Sequence, residues 1–275
     1  LTMATPLEDF SEDIIGKAQR GLGIDTGELA ERSGVDFDTI QALRRGEADA
    51  DAIRKIAPEL GLHGEALLAS AQKVWFPEQL DVPGLHAYHT HYGDMIVNAY
   101  LLQAPESREA IVFDTGTDCT AILNLLRGNS LTLAAICLTH SHRDHIADLD
   151  ALRSANGNPP AYIHGEEMVH GATAIEEGWT LDAAGLQLTA RQTSGHSVAG
   201  ITFVVEGMPA PVAVVGDAMF AGSMGGGMIS YSEALRNNRE KILTLPDDTV
   251  LCPGHGPLTT VGQEKTHNPF FPEFK

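Results

Sequence analysis

The segment Thr139-His140-Ser141-His142-Arg143-Asp144-His145 sets four candidate metal ligands within six residues, directly after the apolar run Leu133–Leu138. In an extended chain, residues two apart point the same way, so His140 and His142 can chelate one ion. Asp144 and His145 break that alternation as the chain turns into the next helix, and can face a second ion nearby. Three more candidates follow at strand ends: Ser194-Gly195-His196, Gly216-Asp217 after the run Val212–Val215, and Pro253-Gly254-His255. A solvated, histidine-rich loop would account for one of these histidines but not for the set. The glycine before His196 and before His255 lets backbone approach a crowded centre. Asp217 is placed to bridge two cations with one carboxylate.

Around these residues the pattern is that of an α+β domain. Apolar, β-rich runs recur at Met95–Leu102, Ala110–Phe113, Leu133–Leu138, Leu186–Leu188, Ile201–Val205, Val212–Val215 and Thr249–Cys252. Helical segments are expected near Thr120–Arg127, Ile146–Arg153 and Ser232–Leu245. Before this domain, helices are expected over Phe10–Gly23, Thr26–Ser33 with Thr26 as N-cap, Asp36–Arg45, Ala50–Glu59 and Gly64–Gln72. The proline- and glycine-bearing stretch Trp75–Gly84 reads as a linker. The expected organisation is therefore a helical segment over 1–74, a linker over 75–84 and a catalytic domain over 85–275.

The order T-H-x-H-x-D-H, G-H, G-D, G-H resembles the metallo-β-lactamase superfamily over residues 85–275. The resemblance implies a four-layer αββα sandwich with the site at one edge of two packed sheets. It also implies that His140, His142 and His196 hold one metal, that Asp144, His145 and His255 hold the other, and that Asp217 bridges. Asp114, in Phe113-Asp114-Thr115-Gly116, matches a position that supports the metal loop without binding metal. The closing stretch Leu245-Pro246-Asp247-Asp248-Thr249, then Pro253–Gly262, Glu264 and Asn268-Pro269-Phe270, is similar to glyoxalase II and its short bacterial relatives, which hydrolyse thioesters such as hydroxyacylglutathione. Only 20 residues, 256–275, follow His255, so the glutathione-gripping helical domain of full-length glyoxalase II is not expected here.

Residues Ile24–Gly46 resemble the helix-turn-helix of Cro/C1 (Xre-like) repressors, with Leu29, Ala30, Val35 and Ile40 inside and Gly34 at the turn. In that family the helix after the turn reads bases. Here it opens with Asp36 and Asp38, and residues 1–75 carry 8 Lys/Arg against 14 Asp/Glu, or 8 − 14 = −6. Phosphate neutralisation is thus weak, and a structural or dimerising role is favoured over DNA contacts through Gln41, Arg44 and Arg45.

The mechanism expected from two bridged cations is a shared water acidified towards neutrality, with one metal stabilising the oxyanion. Asp144 and Asp217 are the carboxylates nearest that chemistry. A thiolate leaving group needs little protonation, which favours thioesters and lactones over amides. Zinc is the favoured metal, with iron and manganese compatible with the same donors. Alternatives are a mononuclear-iron persulfide dioxygenase and a DNA-binding regulator with a metallohydrolase-type sensor; β-lactam hydrolysis is a weaker fourth.

A net charge of −19 disfavours nucleic acid and anionic membranes as partners. No apolar run reaches the roughly 20 residues of a span. The cysteines Cys119, Cys137 and Cys252 form no C-x-x-C pair and fit reduced thiols, so a cytoplasmic enzyme acting on a small molecule is expected. His86, His89, His91, His164 and His170 match no ligand position. Arg143 and Tyr231 are candidate substrate contacts, and Gly222–Met228 a flexible pocket wall.

Overall fold

The computed structural model describes residues 5–275; the first four residues of the expected helical segment lie outside them. Helices α1 (Ser11–Leu22), α2 (Thr26–Ser33), α3 (Phe37–Leu43), α4 (Ala50–Glu59) and α5 (Gly64–Ala71) come first. Strands β1 (Leu85–Tyr92), β2 (Met95–Leu102) and β3 (Glu109–Phe113) precede α6 (Thr120–Gly128) and β4 (Thr132–Cys137). Then come α7 (Arg143–Ile146), α8 (Leu149–Ser154), β5 (Ala161–His164), β6 (Thr173–Ile175), β7 (Thr180–Ala183), β8 (Leu186–Gln192), β9 (Ile201–Glu206) and β10 (Val212–Gly216). The chain closes with α9 (Tyr231–Asn237), β11 (Val250–Pro253), β12 (Thr259–Thr260) and α10 (Val261–His267).

The strands form two six-stranded sheets, ordered β1-β2-β3-β4-β5-β6 and β12-β11-β10-β9-β8-β7. Strand alternation sorts the side chains into layers. On β2 and β3, Tyr100, Leu102, Ile111 and Phe113 face Phe203, Val214 and Cys252 of the second sheet. Ala99, Leu101, Ala110 and Val112 point the other way, onto Ile122 and Leu126 of α6 and Leu149 and Leu152 of α8. The outer face of the second sheet, through Ala213, Val215 and Leu251, joins α9, α10 and the amino-terminal helices in one apolar cluster. Two sheets with helices on both outer faces follow from that sorting.

The amino-terminal helices share this core. Ile14, Ile15, Ile40, Ile53, Ile56 and Leu67 are fully buried in the same cluster as Met219, Phe270 and Phe271. Arg44, an expected base-contacting candidate, is turned inward and donates from Nη1 to the Glu12 carbonyl at 2.8 Å. Gln41 and Arg45 stay exposed. The α2 N-cap is Asp25 rather than the expected Thr26: its side chain accepts from the Glu28 N–H at 2.8 Å, placing Thr26 as the first helical residue. Gly34 takes the left-handed conformation at φ +69° that ends α2. The expected linker lies along the body: Trp75 stacks on His267 at 4.8 Å, and the Glu78 N–H donates to Gln263 at 2.8 Å. No helix among the described residues is long and apolar enough to cross a membrane.

Candidate metal centre

Four separate segments deliver the site. The end of β4 and the short α7 carry His140, His142, Asp144 and His145. The turn between β8 and β9 carries His196, Asp217 follows β10, and His255 follows β11. Each sits where a strand has just left its sheet, so backbone pairing sets the position and the side chain alone reaches inward.

All seven ligand candidates converge, in two groups: His140, His142, His196 and Asp217, and Asp144, His145 and His255. In the first, His142 Nδ1 lies 2.9 Å from His140 Nε2 and 3.1 Å from His196 Nε2, and Asp217 Oδ2 lies 3.3 Å from His196 Nε2. In the second, Asp144 Oδ2 lies 3.5 Å from His145 Nε2 and 3.4 Å from His255 Nε2. The groups meet at Asp217, whose Oδ1 lies 3.4 Å from His145 Nε2 and whose Oδ2 lies 3.4 Å from His255 Nε2. A tetrahedral ion with bonds of about 2.0–2.2 Å sets its ligand atoms about 3.3–3.6 Å apart, close to these spacings. His145 Nε2 and Asp217 Oδ1 are also buried with no hydrogen-bond partner. Buried polar atoms with nothing to bond are what a cation satisfies, so the residues fit divalent metal ions.

The histidine rings are held from behind. His140 Nδ1 lies 3.0 Å from the Thr139 hydroxyl, His145 Nδ1 2.8 Å from Asp114, His196 Nδ1 3.0 Å from the Gly226 carbonyl and His255 Nδ1 2.8 Å from the Ile96 carbonyl. An acceptor on Nδ1 keeps the proton there and turns Nε2 inward as a donor to metal. Asp114 therefore supports the metal loop, and it also accepts from the Thr139 N–H at 2.7 Å and hydroxyl at 2.8 Å. It does so from φ +56°, a left-handed backbone that aspartate tolerates better than most residues.

Electrostatics divide the histidines into two kinds. Burial, reinforced by neighbouring His145, holds His140 well below the usual imidazole range, and burial lowers His196. Burial also opposes charge on His145, but Asp217 and Asp114 outweigh it and lift its pKa to about 10. His255 rises to about 11 against burial, driven by Asp217 and Asp144. Those two protons are what an incoming divalent ion would displace, so metal uptake releases protons and strengthens as pH rises.

The glycines act differently from one another. A methyl group on Gly254 would fall 2.0 Å from Asp217 Oδ1, so Gly254 does make room for the centre. Gly195, at φ +128°, makes room for α9: its added methyl would fall 2.4 Å from the Ala234 nitrogen.

Three buried residues support the site; Glu167 and Asn98 carry no sequence signal, and Glu264 lies in the closing stretch quoted above for its resemblance. Glu167 is buried beneath the metal loop, where it accepts from the Ser141 N–H at 3.1 Å, from the Ser141 hydroxyl and from the Ala199 N–H at 3.1 Å. It thereby ties the His140–His142 segment to the His196 turn. The Asn98 amide donates to the carbonyls of Pro253 at 3.0 Å and Gly256 at 2.8 Å, bracketing His255. Glu264, fully buried and pushed up to about 7 by that burial, accepts from the Gly222 N–H, the Thr259 hydroxyl and the Asn268 amide.

The structure departs from the expected substrate contact at Tyr231. Tyr231 is buried against Gly21 of α1 and 6.4 Å from the Phe270 ring, so it packs helices and does not face the site. The first half of Gly222–Met228 is packed, with Gly225 against the Asp217 carbonyl and Met224 buried; only Met228 stands out, at 73% exposure. Arg143 is exposed beside the ligands.

Residues 92–255 match the model of the metallo-beta-lactamase superfamily. The chain is 32% identical over 208 residues to the probable metallo-hydrolase YqgX of Bacillus subtilis, covering 66% of this chain and 95% of that protein. It is 28% identical over 177 residues to the hydroxyacylglutathione hydrolase of Pectobacterium atrosepticum, covering 64% of this chain and 68% of the relative. Among solved structures it resembles the BLEG-1 B3 metallo-beta-lactamase, with a TM-score of 0.59 and 32% identity over 68% of this chain and 99% of that one. Two sheets flanked by helices, two His/Asp clusters at the strand ends and these likenesses make the chain a member of the metallo-beta-lactamase superfamily.

Proposed function

We propose that the chain is a dinuclear-metal hydrolase of thioesters or related esters, with hydroxyacyl-thiols as the substrate class. The observation that carries this reading is the position of Asp217, whose Oδ1 lies 3.4 Å from His145 Nε2 of one group and whose Oδ2 lies 3.3 Å from His196 Nε2 of the other. His140, His142 and His196 would hold one divalent ion, Asp144, His145 and His255 the other, and Asp217 would bridge. Zinc suits the nitrogen-rich first group, and iron or manganese would also be accepted by these donors. Two ions so held supply a water acidified towards neutral pH and a Lewis acid for the substrate carbonyl.

The chain's own residues do the rest. Asp114 holds the His145 tautomer, Glu167 and Asn98 hold the loops, and the exposed side of His142 leaves the centre open to a small substrate. A thiolate leaves without needing a general acid, and the hydroxyacylglutathione hydrolase likeness points the same way. All three cysteines are free and buried, consistent with work in a reducing compartment. The acidic helical segment makes nucleic acid a poor partner.

Purified protein loaded with zinc, iron or manganese is expected to cleave an acylglutathione in preference to lactones and β-lactams. His142→Ala should lower that rate at least about 100-fold, since several kcal/mol of transition-state stabilisation depends on the metal it holds. No turnover on any thioester would refute the reading.

A further inference from the structure

The loop that runs from Asp217 to α9 lies against two ligands of the first group. Its Gly226 carbonyl is 3.0 Å from His196 Nδ1. A methyl group on Gly225 would overlap the Asp217 carbonyl oxygen and fall 2.9 Å from that same His196 nitrogen, so only bare backbone fits there. The stretch Met224–Gly226 is thus a wall of the centre, and where it sits decides how the His196 ring is turned.

Helix α1 holds this stretch at both ends. At its start, the Lys17 ammonium donates to the carbonyl of buried Met224 at 2.8 Å. Lys17 is only 13% exposed and is paired with buried Asp9, which also accepts from the Ser223 hydroxyl at 2.6 Å. A hydrogen bond from a charged donor fixes a carbonyl more firmly than a neutral one does. At the far end, Gly227 packs on Tyr231, where an added methyl would overlap Cα, and the Tyr231 ring packs in turn on Gly21, one turn along α1 from Lys17. Residues 92–255 carry the family match, and α1 lies outside them.

We propose that Lys17 is a positioning residue for the first ligand group: by fixing the Met224 carbonyl it keeps the Gly226 carbonyl on His196 Nδ1, and so presents His196 Nε2 to the metal. This rests on the metal centre of the reading above and is independent of the substrate. A buried carbonyl stripped of its donor carries a desolvation cost, so without Lys17 the stretch shifts to relieve it and His196 loses its backing. Helix α1 thereby serves the site, although no residue of it touches a ligand.

The test uses the full chain with isotope-labelled histidine, loaded with zinc and followed by nuclear magnetic resonance. The Nδ1–H signals of His196 and His145 report the two groups separately, because one proton is held by the Gly226 carbonyl and the other by Asp114. Lys17→Met is compared with the double variant Lys17→Met/Asp9→Asn, which leaves no buried carboxylate without its cation. Both are expected to lose the His196 signal to solvent exchange and keep that of His145, and to bind one of the two zinc equivalents about tenfold more weakly in competition with a chelator. Lys55→Met on the exposed surface of α4, with the same change in net charge as Lys17→Met, should alter neither. A His196 signal that persists in the folded variants overturns the proposal, as does an equal loss at His145, which would mark a general loosening of the protein. Failure of the unaltered chain to take up zinc removes the metal centre and this proposal with it; two bound equivalents with His196 unmoved remove the proposal and leave the centre standing.

Discussion

Asp217→Ala is expected to cut bound metal from two equivalents to one or fewer and to lower thioester hydrolysis by about 10³-fold or more. The loss follows from position. Asp217 Oδ2 lies within 3.3–3.9 Å of His196, His255 and His140, and Oδ1 lies 3.4 Å from His145, so alanine strips a donor from both groups. Several kcal/mol of transition-state stabilisation rest on the metals, and each 1.36 kcal/mol is tenfold in rate. The protein should remain folded, because with Asp217 gone burial drives His145 and His255 towards their neutral forms and no unpaired cation stays inside. Metal analysis of dialysed protein beside the thioester assay checks both halves of the expectation. Two retained equivalents would show that Asp217 does not bridge.

Asp114→Asn is expected to weaken metal at the Asp144–His145–His255 group about 10- to 100-fold, with a smaller loss at the other group, because the same Asp114 oxygen accepts the Thr139 hydroxyl that lies 3.0 Å from His140 Nδ1. Asparagine tolerates the left-handed backbone at φ +56° and can still accept from the Thr139 N–H. What changes is the atom facing His145 Nδ1 at 2.8 Å. An amide there donates, so His145 must accept on Nδ1 and carry its proton on Nε2, the nitrogen turned towards Asp217. The ring then offers the centre a proton where a lone pair is needed. Stability of the metal-free protein should fall by about 1–3 kcal/mol, the cost of disturbing a buried polar network. Calorimetric metal titration reads the first effect and denaturant unfolding the second.

The seven candidate ligands are legible in the sequence because each is a histidine or aspartate just beyond an apolar run. The strand runs holding them appear in the structure within a few residues of their expected limits, from Met95–Leu102 to Val250–Pro253. Strand β1 is not legible, because Leu85–Tyr92 includes His86, His89 and His91 and pairs along one edge only, with β2, so it lacks a clean apolar alternation. The short β5, β6 and β7 offer too few residues for a period to show. Glu167 and Asn98 act on segments 26 and 155 residues away along the chain, and no local pattern announces such contacts. Helical periodicity places α1 to α5 but cannot say what their apolar faces meet. Their partner is the outer face of the second sheet, and Tyr231, expected as a substrate contact, is part of that packing.

On the proposed function, two ions act together through Asp217. Their joint action is measured by stripping the protein of metal with a chelator and adding zinc back in fractions of an equivalent while following acylglutathione hydrolysis. Little activity is expected through the first equivalent, with a rise that levels off at two. Full activity at one equivalent, or none at any loading, would contradict it.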